Sequence, residues 1–287
     1  MSFTVGIGII TYNRAAIVRD TIDRVRAFTQ TPDAALVVAD DGSTDGTSEM
    51  LRGMQVPSIG GTNMGIAWNK NRALFLLSHV LQCETVILLE DDTLPAHAGW
   101  EAEWIAATRR WGHINFALGR MRELCESGSG TAADPLLSRN TGAHCSGYSR
   151  DALTYGGYLD TRFKGYGHEH VEHSRRLIRL GYGGTDQRID GEPHVRYYML
   201  DRGVTMVHSQ SYYNEAQVTT NLALAKELMN KHGYRAPWGP DDEMRQFRAE
   251  TEHAMRAGAE RFRLTPKTDR DPSANRLDSG SFRILYS

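Results

Sequence analysis

Phe3 to Ile10 is a short, mostly apolar run rich in isoleucine, and it ends at Thr11-Tyr12-Asn13-Arg14. A half-exposed strand would alternate apolar and polar residues, so an unbroken run predicts a strand covered on both faces. Over Ala15 to Phe28 the period changes: Ile17, Ile22, Val25 and Phe28 recur at roughly helical spacing, which predicts a helix with one apolar stripe. Ala34 to Ala39 repeats the strand pattern and closes on Asp40-Asp41-Gly42-Ser43. Asp45-Gly46-Thr47 opens a helix carrying Met50 and Leu51, and Pro57 to Ile59 is a candidate third strand. A further helix is predicted after Gly65 as far as Val80, with Ala67, Leu74, Leu77 and Val80 facing the core. Thr85 to Leu89 is the next buried strand, and it runs straight into Glu90-Asp91-Asp92.

Strands that alternate with helices predict an α/β fold, with a mostly parallel sheet covered by helices on both faces. Such sheets bind ligands at the carboxyl ends of their strands. Thr11 to Arg14, Asp40 to Ser43 and Glu90 to Asp92 all fall at predicted strand ends. The middle of the chain is less regular, with a flexible loop at Ser127 to Gly130 and a polar segment from Thr141 to Tyr148. A helix is expected over Glu172 to Leu180, a short strand over Thr205 to Val207 before His208, and a helix over Gln217 to His232. After Gly233 come Pro237, Pro240, a predicted helix from Asp241 to Ala259, and a polar tail with Pro266 and Pro272. The expectation is a catalytic domain over 1–232 and a helical extension with a polar, partly disordered tail over 233–287.

The 287 residues are 40% hydrophobic and 24% charged, as in a soluble globular protein. A net charge of -2 and a pI near 6.6 give no electrostatic footprint for nucleic acid. No run approaches the ~18 apolar residues of a membrane span, and the first residues lack a basic leader. The expected location is cytoplasmic, with peripheral attachment to a membrane left open. Cys83, Cys125 and Cys145 are few and widely spaced, which suggests neither a disulfide framework nor a metal knuckle.

In VVADDGSTDGT, adjacent acids at a strand end face the expected crevice, although turn chemistry and helix capping favour the same residues. In LLEDDTLP, three acids after a buried strand would repel one another unless a cation sits among them. Mg²⁺ and Mn²⁺ combine carboxylates with substrate phosphates in this way. Gly6-x-Gly8 lacks a third glycine at the dinucleotide spacing, so no organic cofactor is expected. His168 to His173 packs three histidines and two glutamates into six positions. It is not HExxH, because Glu172 stands where the second histidine is required. A zinc hydrolase using His168, His170 and His173 is a remote alternative. The plainer reading is a solvated helix start, with acids in its first turn and Arg175, Arg176 and Arg179 later.

Together these segments resemble the nucleotide-sugar-dependent glycosyltransferases of GT-A fold, family 2 type, over roughly residues 3 to 210. TYNR and DDGSTDGT look like that family's donor-binding turns, and Asn63-Met64-Gly65-Ile66-Ala67 with Lys70-Asn71 looks like its NxGxAxxRN segment. LLEDD looks like the DXD metal motif. GYSRDALTYGGYLDTRFKGYGHEHVEHSRRLIRLGY is similar to the acceptor-side segment. A further likeness, to β-1,4-galactosyltransferases, rests on GYGHEH followed by Met206-Val207-His208-Ser209.

The resemblance implies Thr11, Tyr12, Arg14, Asp41, Asn63, Gly65, Lys70, Glu90 and Asp91 as donor-binding residues. It implies Asp92 and His208 as ligands of Mn²⁺ or Mg²⁺, a UDP-sugar as donor, and transfer to an acceptor hydroxyl with inversion. The family's base is the Asp of a Glu-Asp pair, and His170 stands in its place. Glu169 and His170 are therefore the two candidates for the catalytic base. The polypeptide N-acetylgalactosaminyltransferases have Glu-Asn there and retain configuration, so the stereochemistry is tied to the same substitution. The alternative from another class is a catalytically impaired nucleotide-sugar or glycan-binding module. The acceptor can be a glycan, a lipid-linked sugar, a protein or a modified nucleobase, and nothing in the sequence indicates an oligomeric state.

Overall fold

The computed structural model describes residues 3–207, 214–229, 231 and 233–264. The chain opens with β1 (Val5–Thr11), α1 (Ala15–Phe28), β2 (Ala34–Asp40), α2 (Thr47–Gly53) and β3 (Ser58–Gly60). Then come α3 (Ile66–Phe75), continued by a π-helical turn Leu76–Val80, and β4 (Thr85–Glu90), β5 (Thr93–Pro95), α4 (Glu101–Trp111) and β6 (His113–Phe116). The middle holds α5 (Arg120–Glu123), β7 (Cys125–Ser127), β8 (Leu136–Ser138), β9 (Cys145–Ser149), α6 (Arg150–Gly156) and α7 (Glu169–Arg179). It finishes with β10 (Gly184–Ile189), β11 (Glu192–Leu200), β12 (Val204–Met206), α8 (Glu215–Leu228), α9 (Asp241–Met255) and a 3₁₀ turn, Ala259–Phe262.

The strands of the large sheet run β3-β2-β1-β4-β9-β6-β11-β8-β7, with β10 beside β11. β3, β2, β1 and β4 are mutually parallel, and every residue of β1 and β2 is buried, as the uninterrupted apolar runs require. β9 enters antiparallel between β4 and β6. Its register pairs Leu89 with Cys145, and Glu90 N–H donates to His144 O at 2.9 Å. A segment from the irregular middle of the chain is thereby brought to the end of β4. β5 pairs with β12 in a separate ribbon, and Val207 N–H donates to Asp92 O at 2.9 Å.

One apolar cluster fills the sheet face under α1 and α4, around Ile7, Ile22, Trp100 and Trp104. The other lies under α3, α6 and α7, around Trp68, Leu74, Leu77 and Leu177. Gly6 and Gly8 belong to this packing. A Cβ on Gly8 would sit 2.7 Å from Leu88 Cδ2 and 3.0 Å from Ala73 Cβ, and one on Gly6 would sit 2.8 Å from Cys83 Sγ. The two glycines let the α3 layer approach β1 closely, which accounts for a Gly-x-Gly pair inside a strand.

The segment after residue 232 packs into this second cluster. Phe247 lies with its ring centroid 5.4 Å from Trp68, 5.4 Å from Phe75 and 5.7 Å from Trp238. Phe262 is buried in the same cluster, and Leu264 N–H donates to Ala34 O at 2.8 Å. The polar tail beyond 264 lies outside the described residues. α7 starts three residues before its apolar pattern does, because it buries polar residues: Glu169, Glu172, His173 and Arg176 are all inside. α8 and α9 end at Leu228 and Met255, short of the expected His232 and Ala259. Among the described residues no helix is long and apolar enough to cross a membrane.

Gly8→Val is expected to destabilise the protein by about 1–3 kcal/mol through overpacking. Urea unfolding checks this, and unchanged stability would mean that the α3 layer is free to move off β1.

Candidate active site

The carboxyl ends of β1, β2 and β4 lie side by side. Thr11 pairs with Asp40 and Ile10 with Glu90 in the parallel register. Asn69, on α3, ties the first two ends together by donating to Thr11 O at 3.2 Å and Ala39 O at 2.9 Å. Thr11 Oγ1 donates to Asp91 Oδ2 at 2.8 Å, and Arg14 Nη1 donates to Asp91 Oδ1 at 2.7 Å and Asp92 Oδ2 at 3.2 Å. Burial pushes the Asp91 carboxyl up to about 6 even against the opposing pull of Arg14 and Thr11. Tyr12 is 45% exposed beside this cluster.

Asp41 closes the next turn. Its carboxylate accepts from Met64 N at 3.0 Å, Gly65 N at 2.8 Å and Arg72 Nη1 at 2.6 Å. Gly65 has φ +90°, a conformation that favours glycine because a Cβ is strained there, and it presents its N–H to Asp41. Asn63 is exposed two residues earlier. Burial raises the Asp41 pKa more than its donors lower it.

Lys70 is buried, with Nζ 3.3 Å from Glu90 Oε1 and 3.5 Å from Glu169 Oε1. Expected as a donor contact, it spends its ammonium on these two carboxylates. Burial alone would push Glu90 up, but Lys70 and then His144 outweigh it and hold Glu90 at about 2. Glu169 is likewise held below the ordinary carboxylate range, with His170 and Lys70 overcoming burial. Its Oε2 accepts from Gly167 N at 3.1 Å, and its Oε1 lies 3.2 Å from His170 Nδ1. Glu169 is 1% exposed and the His170 side chain 18%. Of the two candidate bases, the histidine therefore reaches solvent and the glutamate stands behind it.

α7 is locked in place around this pair. Arg176 donates to both oxygens of Glu172 at 3.0 Å, to Tyr158 O at 2.7 Å and to Gly156 O. His168 caps the helix in a left-handed conformation, φ +68°. His173 points the other way: it is fully buried, its Nε2 lies 2.9 Å from Gly157 O, and its ring stacks on Tyr148 with centroids 5.3 Å apart. The three histidines thus do not converge, and the zinc-hydrolase reading fails on that geometry.

Ligand atoms of Glu90, Asp92 and His144 all lie within 4.8 Å of one another, the one such group among the described residues. His144 Nδ1 is 3.2 Å from Glu90 Oε2. Burial lowers the His144 pKa, but Glu90 and Asp92 raise it further, for a net upward shift. Two carboxylates and an imidazole suit a divalent cation such as Mn²⁺. The local charge agrees. Glu90, Asp91, Asp92 and Glu169 gather four carboxylates here, with Lys70 and Arg14 as ion-pair partners and His144 and His170 beside Glu90 and Glu169. Glu90, expected as a donor-binding residue, falls within this group. His144 has no signal in the sequence, because only the antiparallel register of β9 brings it to Glu90. His208 lies outside the described residues.

Glu90 and Glu169 have depressed folded pKa values, so their stabilising contribution is full above the unfolded value near 4.5 and fades as pH falls below it. Lys70→Met leaves the buried Glu169 and the half-buried Glu90 without their shared cation. It is expected to cost about 3–5 kcal/mol near pH 7, a loss that shrinks as the carboxylates take up protons toward pH 5. Urea unfolding at both pH values checks this, and a loss below about 1 kcal/mol, as for a surface pair, would contradict the ion-pair assignment.

Residues 7–102 match the family model Glycosyl transferase family 2. The segment runs from β1 into α4 and contains every strand-end residue described above. A sequence search among curated proteins gives no match. Among solved structures, the mannosyltransferase PcManGT from Pyrobaculum calidifontis, in complex with GDP-Man and Mn²⁺, has a TM-score of 0.55 at 17% identity, covering 87% of this chain and 69% of its own. S. aureus TarS 1-349 has a TM-score of 0.54 at 13% identity, covering 89% of this chain and 72% of its own. GalNAc-T7 with UDP, GalNAc and Mn²⁺ has a TM-score of 0.57 at 12% identity, covering 87% of this chain and 54% of its own. At such identities these structures establish the fold, and the family match over residues 7–102 points to glycosyl transfer. The protein is a glycosyltransferase of GT-A fold.

Proposed function

We propose that this glycosyltransferase moves a sugar from a UDP-sugar to an acceptor hydroxyl with inversion, using a divalent cation held by Glu90, Asp92 and His144. The observation that carries the proposal is one continuous chain of contacts. It runs from His170 through Glu169, Lys70 and Glu90 to His144, with Asp92 alongside. His208, which lies outside the described residues, is a further ligand candidate on the sequence resemblance. Thr11, Tyr12, Arg14, Asp41, Asn63 and Gly65 surround the donor's nucleoside, and Asp91 orders Thr11 and Arg14 from behind. PcManGT is a complex with GDP-Man and Mn²⁺ and GalNAc-T7 one with UDP, GalNAc and Mn²⁺, which supports a nucleotide-sugar donor used with a divalent cation.

A bound Mn²⁺ supplies positive charge for the departing diphosphate. The protein's own groups do the rest. Glu169 accepts the Nδ1–H of His170, which fixes the tautomer with Nε2 as the proton acceptor. As the acceptor oxygen bonds to the anomeric carbon, the bond to the diphosphate breaks and the hydroxyl proton passes to His170 Nε2. Glu169 stabilises the resulting imidazolium, and Lys70 keeps Glu169 ionised to do so. Inversion follows from attack opposite the leaving group. A glycan, a lipid-linked sugar, a protein or a modified nucleobase each offers a suitable hydroxyl.

An Asp92→Ala variant is expected to lose both nucleotide-sugar turnover and Mn²⁺-dependent nucleotide binding. His170→Ala is expected to lower kcat by about 10²–10⁴-fold while leaving UDP affinity within a few-fold. Assays of donor hydrolysis and transfer over a panel of nucleotide sugars with Mn²⁺ check both. Normal turnover by Asp92→Ala would overturn the metal assignment. Tight donor binding by the wild type with no turnover of any donor would favour the binding-module reading instead.

A further inference from the structure

Arg72 lies in α3, and its guanidinium is completely buried. It donates to Asp41 Oδ1 at 2.6 Å on one side. On the other it forms a two-point contact with Glu250 of α9, Nε to Oε2 at 2.8 Å and Nη2 to Oε1 at 3.0 Å, and Nη2 also donates to Thr62 O at 2.9 Å. Glu250 is 178 residues away in sequence and belongs to the segment expected as an appendage. It is held in turn by Trp68 Nε1 at 3.4 Å and Gln246 Nε2 at 3.0 Å, and Gln246 also reaches Thr62 Oγ1 at 3.4 Å. Gly61 leaves the space this needs, since a Cβ there would collide with Glu250 Oε1 and come within 3.1 Å of Arg72 Nη2.

We infer that Glu250 is a positioning residue for nucleobase recognition. Through Arg72 it sets the Asp41 carboxylate and the Thr62–Gly65 loop against which the donor base rests. The inference rests on the proposed role of Asp41. Three physical points support it. A planar guanidinium gripped at two points has its direction fixed, which a point charge would not. Arg72 is inaccessible to any ligand, so its effect on binding must pass through Asp41. Asp41 is a buried carboxylate whose pKa is raised by burial and opposed by Met64, Arg72 and Gly65, so a displaced Arg72 alters both its direction and its charge. Removing the Glu250 charge releases one side of the Arg72 guanidinium, which loosens its hold on Asp41 and on the Thr62 end of the loop.

The test measures binding of UDP, GDP, CDP and inorganic pyrophosphate to the full-length protein with MnCl₂, in the wild type and in Glu250→Gln, Gly61→Ala and Asp41→Asn. Pyrophosphate reports the metal and phosphate end alone. Glu250→Gln and Gly61→Ala are expected to reduce the preference for the favoured nucleotide over the others by about tenfold, with pyrophosphate affinity unchanged, and Asp41→Asn to reduce it at least as much. If Asp41→Asn lowers the preference and both relay variants keep it, the inference fails and the reading of Asp41 stands. If all three variants keep the wild-type preference, the reading of Asp41 fails and takes the inference with it. If Glu250→Gln and Gly61→Ala lose pyrophosphate and nucleotides in equal proportion with a lowered melting temperature, Glu250 is merely structural and the inference is overturned.

Discussion

The site depends on one buried ammonium. Lys70 stands between Glu90 at the end of β4 and Glu169 at the start of α7. Without it, the buried carboxylate of Glu169 would face the half-buried one of Glu90, and the expected outcome is proton uptake rather than ionisation. With it, Glu90 stays ionised as a candidate metal ligand and Glu169 stays ionised behind His170. On the proposed reading the same contact serves the donor end and the acceptor end. It also fixes the distance between them, because α3 is held tight to β1 by Gly6 and Gly8.

The surrounding packing serves this requirement. Arg176 on Glu172 and on two carbonyls keeps α7 from rotating, so Glu169 and His170 are presented by a rigid helix rather than by a loop. Arg14 restrains Asp91 and Asp92 together. On the proposed reading Asp91 is a brace rather than a ligand, and the three consecutive acids divide the work. Glu90 and Asp92 face the candidate cation position, while Asp91 faces Thr11 and Arg14.

Much of this was legible in the sequence where the signal is local. Uninterrupted apolar runs marked β1, β2 and β4, and the acids that follow them fell at the carboxyl end of the sheet as a parallel α/β pattern requires. The start of α7 was missed because its buried face is polar: Glu169, Glu172, His173 and Arg176 pair with partners that periodicity does not reveal. His144 was missed because its role comes from the antiparallel register of β9 against β4, a long-range property. Glu250 was missed for a similar reason: a glutamate in a charged helix reads as solvated until Arg72 is found against it. The plainer reading of the histidine-rich stretch, a solvated helix start, fails because Glu169, Glu172, His173 and Arg176 are buried. The remote zinc reading fails because His173 turns into the core while His170 stays half-buried beside Glu169.

The most direct test of the account is an anomalous-difference map, recorded at the manganese edge, from crystals grown with UDP and MnCl₂. The account predicts a single strong peak coordinated by Glu90, Asp92 and His144 and by the diphosphate, with His170 across the site from it. A peak among His168, His170 and His173, or bound UDP with no manganese at the Glu90–Asp92–His144 group, would contradict it.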